Sequence, residues 1–339
     1  MTERFDGRRG WIPRWACWAF LGIVVLAGMP ACDGEDEEGG TTIPPGFVYV
    51  INYDSDLPTI RKFTADTHER ILAYTPNGLC IAAALDSDNG DLYVHSWGSL
   101  RRYDKDGNEI YLVMAETARY TGREYLGFNN ETGQVYFLNG EGICHRFRGS
   151  DGERIGIFNT GLEDPEGIVI DEVENTEWVL GNGGAVAQKY TDDGYNLLVE
   201  LTAGPYTKIV VDDSTDTILM GVSRAARDFV VRYSKAGVKQ QEIETTIVPT
   251  ALAVEPGSGR IWVSDGGVVE RYKPDGTKIE GVNSMGFQHI DFTEDGAVAF
   301  AIDPDGFFYA IDVRTIGIFW RIQQTHPGHN IHFVKYTKY

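Results

Sequence analysis

The chain has 339 residues, of which 40 are glycine, and its formal net charge at pH 7 is −20. This length permits one large β domain or two ordinary ones, and the many glycines favour frequent turns over long helices. Affinity for nucleic acid comes mainly from Lys and Arg side chains that neutralise phosphates, so the acidic charge argues against a nucleic-acid partner. The acidic excess keeps an exported protein soluble, or favours cationic partners and divalent metals.

The first 31 residues have the plan of a secretory signal peptide. A charged lead with Arg4, Arg8, Arg9 and Arg14 is followed by an apolar run from Ala16 to Gly28. That run is too short for a comfortable membrane span. We therefore interpret residues 1–31 as a signal peptide that directs export.

The stretch LAGMPAC, which ends at Cys32, resembles a bacterial lipoprotein box. The resemblance implies that Cys32 is lipidated and becomes the new N-terminus, with ordinary cleavage or a retained anchor as the alternatives. The protein would then be a lipoprotein anchored to a membrane of the bacterial cell envelope, on the periplasmic side or the cell surface. Residues 32–45 contain DGEDEEGG and should form an acidic, flexible tether ahead of a domain at 46–339.

A pair made of a basic and an aromatic residue recurs along this domain. The spacings are 40, 44, 43, 43 and 39 residues, and a period of about 42 indicates a repeat architecture. The pairs are Lys62-Phe63, Arg102-Tyr103, Arg146-Phe147, Lys189-Tyr190, Arg232-Tyr233 and Arg271-Tyr272.

Each pair follows an apolar run that alternates with period two, which is typical of a β-strand. The runs, with one more near the C-terminus, are FVYVIN (47–52), LYVHS (92–96), VYFLN (135–139), WVLGN (178–182), ILMGV (218–222), IWVSD (261–265) and AFAID (299–303). Further strands before and after make a unit of four antiparallel strands, which matches one blade of a propeller.

We therefore predict an all-β fold, a seven-bladed β-propeller of four-stranded antiparallel blades, with six or eight blades as alternatives. The seventh unit has Ala310-Ile311 in place of the basic and aromatic pair. The first unit lacks a leading strand, and the chain ends in an unpaired strand, NIHFVKYTKY (330–339). The C-terminal strand should therefore close blade 1, because closure removes the exposed edges.

Two stretches carry a family resemblance, EDPEGIVIDEVENTEWVLGNGG and TALAVEPGSGRIWVSDGGVVERYKPDGTKI. They resemble NHL-type repeats and the propeller superfamily that includes streptogramin-lyase-like and gluconolactonase-like proteins. The resemblance covers residues 46–339 and implies the propeller fold. Such propellers host many activities, so it implies no single function.

Cys80 and Cys144 are the cysteines that remain after Cys17 leaves with the signal and Cys32 is lipidated. An oxidising compartment permits a disulfide between them. Both lie in otherwise apolar strand positions, so we expect two buried free thiols.

Polar residues end the second strand of most blades, on the rim whose loops vary. They could form a ring that binds a ligand, a sugar or a cation such as Ca²⁺ or Mg²⁺ in the channel. The alternative is that they cap their own turns. The candidates are Asn52, Asn139, Asn182, Asp265 and Asp303.

The starts of the inner strands place further polar residues near the same mouth: Glu124, Glu166, Lys208, Thr250, His289 and Asn330. Glu166 and His289 could act as acid and base. Resemblance to gluconolactonases or streptogramin lyases would imply a divalent metal beside such residues, and the alternative function is therefore a metal-dependent lactonase or lyase.

Trp97, Arg224 and Arg227 lie in loops of the same rim, and the loop with the two arginines reads as longer than its counterparts. Stacking and anion contacts are what these side chains supply. We predict a monomeric, non-enzymatic binding or scaffold module of the cell envelope, which contacts a protein, peptide or glycan through this rim.

Overall fold

The computed structural model describes residues 42–52, 60–74, 80–96, 98–114, 124–194, 196–202, 204–282, 286–323 and 331–338. Within these ranges the chain forms 28 β-strands. No helix in the described part is long and apolar enough to cross a bilayer. The strands form seven antiparallel sheets of four strands each.

Blades 1 to 4 take up the first half of the ring. Blade 1 contains β1 (Phe47–Asn52), β2 (Ile60–Thr64), β3 (Arg70–Tyr74) and the last strand of the chain, β28 (Ile331–Thr337). Blade 2 contains β4 (Ala82–Asp86), β5 (Asp91–Ser96), β6 (Ser99–Tyr103) and β7 (Glu109–Met114). Blade 3 contains β8 (Tyr125–Asn129), β9 (Gln134–Leu138), β10 (Ile143–Arg148) and β11 (Arg154–Asn159). Blade 4 contains β12 (Gly167–Asp171), β13 (Thr176–Gly181), β14 (Val186–Thr191) and β15 (Leu197–Leu201).

Blades 5 to 7 complete the ring. Blade 5 contains β16 (Tyr206–Asp212), β17 (Thr217–Arg224), β18 (Arg227–Ser234) and β19 (Lys239–Thr245). Blade 6 contains β20 (Ala251–Val254), β21 (Ile261–Ser264), β22 (Val269–Tyr272) and β23 (Lys278–Val282). Blade 7 contains β24 (His289–Phe292), β25 (Val298–Ile302), β26 (Phe307–Asp312) and β27 (Ile318–Gln323).

The seven-bladed prediction is confirmed, and so is closure by the C-terminal strand. β28 pairs with β1 in antiparallel register from Phe47 and Thr337 to Asn52 and Ile331. The first strand of each sheet contacts the first strands of both neighbouring sheets around the ring, which makes β28, β4, β8, β12, β16, β20 and β24 the inner strands. The ring has two rims, which we call the turn rim (in blade 2, turns 87–90 and 104–108) and the loop rim (in blade 3, loops 139–142 and 160–166).

The repeated basic and aromatic pair holds neighbouring blades together. The aromatic member is buried between blades in every case, from Phe63 to Tyr272. The basic member in most blades lies over an aromatic ring of its own second strand, as Arg271 does over Trp262 at 5.3 Å. It then donates a hydrogen bond to a turn carbonyl of the next blade. These contacts are Lys62 to Lys105, Arg102 to Gly149, Lys189 to Lys235, Arg232 to Pro274 and Arg271 to Val313, at 2.7 to 3.2 Å.

Blade 7 lacks the pair and uses another donor at the same place. Trp320 Nε1 of β27 donates to the carbonyl of Ala65 in the turn of blade 1, at 3.3 Å. Ala65 stands two residues after Phe63, as Val313 stands two residues after Ile311, so the acceptors are equivalent. The ring is therefore closed by a side-chain contact as well as by β28.

Cys80 and Cys144 are both buried and unbridged. Each belongs to an apolar cluster between blades, Cys80 with Tyr49 and Leu92, Cys144 with Tyr136 and Tyr190. Burial raises the pKa of both thiols, so they stay protonated. The prediction of two buried free thiols is confirmed.

Candidate ligand-binding channel

A cavity of about 650 Å³ lies on the axis of the ring, and inner strands of all seven blades line it. Many of its lining side chains are apolar, such as Leu126, Val169, Val210 and Ile290, and its exposed surface is a mixture of polar and apolar atoms. Turn-rim residues such as Ser87, Asn130 and Glu172 line it as well, so the cavity opens at that rim. A concave wall that combines apolar side chains with a few well-placed polar groups is typical of a small-molecule site.

Strand pairing shows which wall residues lie at one level. The inner-strand partners of Tyr49, Tyr93, Tyr136, Trp178, Leu219, Trp262 and Phe300 are Lys335, Ala84, Gly127, Val169, Val210, Ala253 and Asp291. Five of these seven positions are small or apolar. The other two, Asp291 of blade 7 and Lys335 of blade 1, are adjacent and of opposite charge.

Asp291 and Lys335 form an ion pair in the channel wall. Lys335 Nζ lies 3.1 Å from Asp291 Oδ1, and the Tyr336 amide donates to Asp291 Oδ2 at 2.8 Å. Lys338 makes a second ion pair with Glu294. The charges of Asp291 and Glu172 raise the pKa of Lys335, so it stays protonated. These contacts join the closing strand β28 to blade 7.

The cavity mouth is polar because turn residues of consecutive blades hydrogen-bond to one another. Thr337 Oγ1 donates to the Ser87 carbonyl at 3.0 Å, and the Ser87 amide donates to Asn130 Oδ1 at 3.0 Å. Asn130 in turn donates from its backbone amide to Glu172 Oε1 at 3.1 Å and also from Nδ2. The chain of contacts runs from blade 1 to blade 4, so the mouth presents preorganised carbonyl, amide and carboxylate groups.

Lys235 continues this polar mouth at the boundary between blades 4 and 5. Its Nζ lies 2.9 Å from Asp171 Oδ1 and 3.0 Å from Asp213 Oδ1. Burial alone would lower the pKa of Lys235, but the hydrogen bonds to Asp171 and Asp213 outweigh it and raise the pKa. Asp213 lines the cavity, so its carboxylate is held in place for a ligand.

The other end of the cavity is bounded by larger side chains. Strand pairing puts Tyr125, Lys208 and His289 at one level, two residues beyond Gly127, Val210 and Asp291. Ala82, Gly167 and Ala251 alternate with them at this level in the inner strands of blades 2, 4 and 6. None of these six lines the cavity, so we call this level the floor.

The loop-rim residues predicted as ligands are engaged in local contacts. Asn139 Oδ1 accepts from the amides of Glu141 and Ile143 at 3.0 and 2.9 Å. Asp265 Oδ1 accepts from the amides of Gly267 and Val268, both at 2.8 Å. These contacts are turn capping, which the sequence offered as the alternative to ligand binding.

Asp303 and Asn182 are held in the same way. Asp303 accepts from the Phe307 amide at 2.8 Å and from the Tyr309 hydroxyl at 2.6 Å. Asn182 has a φ of +57° and accepts from the Glu163 amide at 2.7 Å, which ties a loop of blade 4 to the loop that joins blades 3 and 4. Ligand binding by the loop-rim residues stays a prediction.

Arg224 and Arg227 correct one expectation. The sequence suggested a long loop, but β17 and β18 extend as eight-residue strands up to a turn at 225–226. The two strands extend because Val222 pairs with Phe229 in regular register and the sequence at this pair stays apolar. Both guanidinium groups form ion pairs with β19, Arg224 with Glu242 at 3.3 Å and Arg227 with Glu244 at 3.0 Å.

Glu166 and His289 start the inner strands of blades 4 and 7, with blades 5 and 6 between them on one side of the ring. Their strands are not neighbours, so the structure does not bring the two side chains together as an acid and base pair. Among the described residues no group of three or more His, Cys, Asp or Glu side chains could hold a metal ion.

Three predicted functional residues cannot be placed. Trp97 and Cys32 lie outside the described residues, as do the proposed signal peptide and most of the tether. Asn52 is the last residue of β1, and the structure describes its backbone but not its side chain.

Comparison with known proteins gives one result. No known protein family and no curated protein matches this chain. The seven-bladed propeller is shown by the strand order alone, and the NHL-type relationship stays a prediction.

The sequence did not single out the channel wall. Asp291 and Lys335 were inconspicuous because charged residues are common in strands that face solvent. One signal was present in the repeat alignment: both stand where the other blades have Ala, Gly or Val. The cavity and its apolar wall required the three-dimensional arrangement of inner strands that are about 42 residues apart in sequence.

Proposed function

We propose that the protein is an exported binding module of the bacterial cell envelope that holds an amphipathic ligand in its channel. The observation that carries this proposal is the 650 Å³ cavity, in which apolar side chains of the inner strands line the wall and polar groups line the mouth. Transfer of an apolar group from water to such a wall is favourable in proportion to the area buried. The polar mouth would orient the ligand and provide selectivity.

An uncharged, apolar fluorescent probe tests the proposal directly. N-phenyl-1-naphthylamine should bind saturably to the wild-type protein with one site and an increase in fluorescence. The Val210→Trp substitution fills the cavity at the wall level and should weaken binding at least tenfold. Val169→Trp, on the neighbouring blade, should act in the same way.

A matched control is available in the same blade. Val238 is 64% exposed in an outer turn, so Val238→Trp makes the same chemical change away from the channel and should leave probe binding unchanged. Thermal unfolding checks that each variant folds. Equal probe affinity for wild type, Val210→Trp and Val169→Trp, with all three folded, would sink the proposal.

The envelope location rests on the lipoprotein-box resemblance at Cys32. In a bacterial host that processes lipoproteins, the full chain should incorporate labelled fatty acid and sediment with membranes. Cys32→Ser should abolish both, because serine cannot form the thioether that carries the lipid. Fatty-acid incorporation that persists in Cys32→Ser would contradict this assignment.

A further inference from the structure

The two lysines of the inner strands near the channel have opposite environments. Lys335, near the mouth, is neutralised by Asp291 at 3.1 Å. Lys208, at the floor, has no hydrogen-bond or ion-pair partner among the described residues and is half-buried. A partly desolvated ammonium without a counter-charge is unfavourable, so Lys208 gains most from an anion that arrives with a ligand.

The position of Lys208 fits this role. It is two residues from Val210 on β16, and side chains two apart lie on the same face of a strand. Val210 and the adjacent Ile209 both line the cavity. A lysine side chain is long and flexible, and the small Gly167 and Ala251 at the same level in blades 4 and 6 leave room beside it.

The surroundings of Lys208 favour an anion over a cation. Among the described residues, strand pairing places no carboxylate at its level, where Ala82, Tyr125, Gly167, Ala251 and His289 stand in the other blades. The titratable groups one residue further out are Glu124, whose Oε2 lies 3.1 Å from His95 Nδ1, and Glu166. Burial lowers the pKa of Lys208, and an anion bound beside it would reverse that shift.

We infer that the channel ligand carries a carboxylate or a similar single anionic group, which pairs with Lys208 at the floor while the apolar part lies along the wall. This inference rests on the proposed function, since it names the chemical class of the ligand for the same cavity. About 13 Å of strand separates the level of Lys208 from the turn rim, at roughly 3.3 Å per residue, so a medium-length alkyl chain would fit.

Three probes that share one alkyl chain separate the possibilities: decanoate, decan-1-ol and decyltrimethylammonium. Isothermal titration with the full-length protein should show decanoate binding about tenfold or more tighter than the alcohol, as a charge-assisted hydrogen bond would produce. Lys208→Met should remove this preference, and Lys208→Arg should retain it. Lys239→Met, at an exposed position on β19 of the same blade, is the matched control and should change nothing.

Protonation provides a second readout. Lys208 must be protonated to hold the carboxylate, so decanoate binding should take up protons at alkaline pH and its heat should depend on the buffer's ionisation enthalpy. Lys208→Met should abolish this dependence even if it still binds the alkyl chain.

The outcomes distinguish the two proposals. Equal affinities for decanoate and decan-1-ol in the wild type, or a preference that survives Lys208→Met, would overturn the inference and leave the apolar channel site standing. Tightest binding of decyltrimethylammonium would also overturn it, in favour of the carboxylates at the mouth. Binding of none of the three probes would remove the proposed function itself.

Discussion

The interface between blades 3 and 4 differs from the interface between blades 6 and 7, although both are built from the same repeat. Between blades 6 and 7, Arg271 donates to the Val313 carbonyl at 2.9 Å, and Ala299 packs into an apolar cluster. Between blades 3 and 4, Arg146 instead donates to Gln134 of its own blade, at 2.8 and 3.2 Å. Its other partner is the Asp192 side chain, 3.7 Å away.

A buried glutamate accompanies this change. Glu177 is fully buried, and within the described part of the chain neither of its carboxyl oxygens has a hydrogen-bond partner. The equivalent positions of the other six blades are apolar: Val48, Leu92, Val135, Ile218, Ile261 and Ala299. The comparison shows that the repeat accommodates a buried glutamate at this position in blade 4. Desolvation of the ionised Glu177 carboxylate is the energetic cost.

The largest expected effect is the pH dependence of this interface. Burial raises the pKa of Glu177 from an ordinary 4.5 to about 8, and nearby Arg146 only partly opposes that shift. A folded-state pKa above the unfolded value means that stability is fully present below about pH 4.5 and is lost as pH rises through about 8. The loss in free energy of unfolding from this group should be on the order of 5 kcal/mol.

Glu177→Leu, which restores the apolar pattern of the other blades, tests this expectation. The variant should unfold at higher denaturant concentration than the wild type at pH 8.5, with the gap narrowing toward pH 5. Ile218→Leu, the same level in blade 5, is the control and should leave the pH profile unchanged. A wild type whose stability does not fall relative to Glu177→Leu between pH 5 and pH 8.5 would contradict the assignment.

The next effect concerns the basic residue of each interface. Arg271→Met should lower the free energy of unfolding by about 2 kcal/mol, because a charged donor to a buried carbonyl and a cation–π contact are lost together. Arg146→Met should cost less, since Gln134 can reorient when its partner is removed. Denaturant unfolding of both variants measures the difference, and a larger loss for Arg146→Met would reverse our view of the two interfaces.

The smallest effect is expected at the ring closure. Trp320→Phe keeps an aromatic ring against Phe300 and Phe308 but removes the hydrogen bond to the Ala65 carbonyl. The loss should be about 1 kcal/mol. Phe319→Leu, at a neighbouring exposed side chain, should be neutral. Equal stabilities for Trp320→Phe and wild type would show that β28 alone closes the ring.

Much of the fold could be predicted because the sequence signals for strands and turns are local and recur in each repeat. The alternating run 47–52 became β1, Phe47–Asn52, and the unpaired C-terminal strand became the inner strand of blade 1. Strand alternation and turn residues depend on neighbours within a few positions, which a sequence displays directly. The predicted basic and aromatic pair also took its place, with the aromatic residue between blades.

The candidate site was predicted less well for the same reason. Asn139 and Asp265 were suitable ligands by residue type, and only the tertiary structure shows that the amides of their own turns occupy their oxygens. Lys208 and Lys335 are alike in sequence, yet Lys208 has no ion-pair partner among the described residues, whereas Lys335 is neutralised by Asp291. Seven blades and their order therefore followed from the sequence itself. The interaction partners, exposure and charge state of the candidate side chains depended on contacts between inner strands of different blades. Those contacts exist only once the ring has closed.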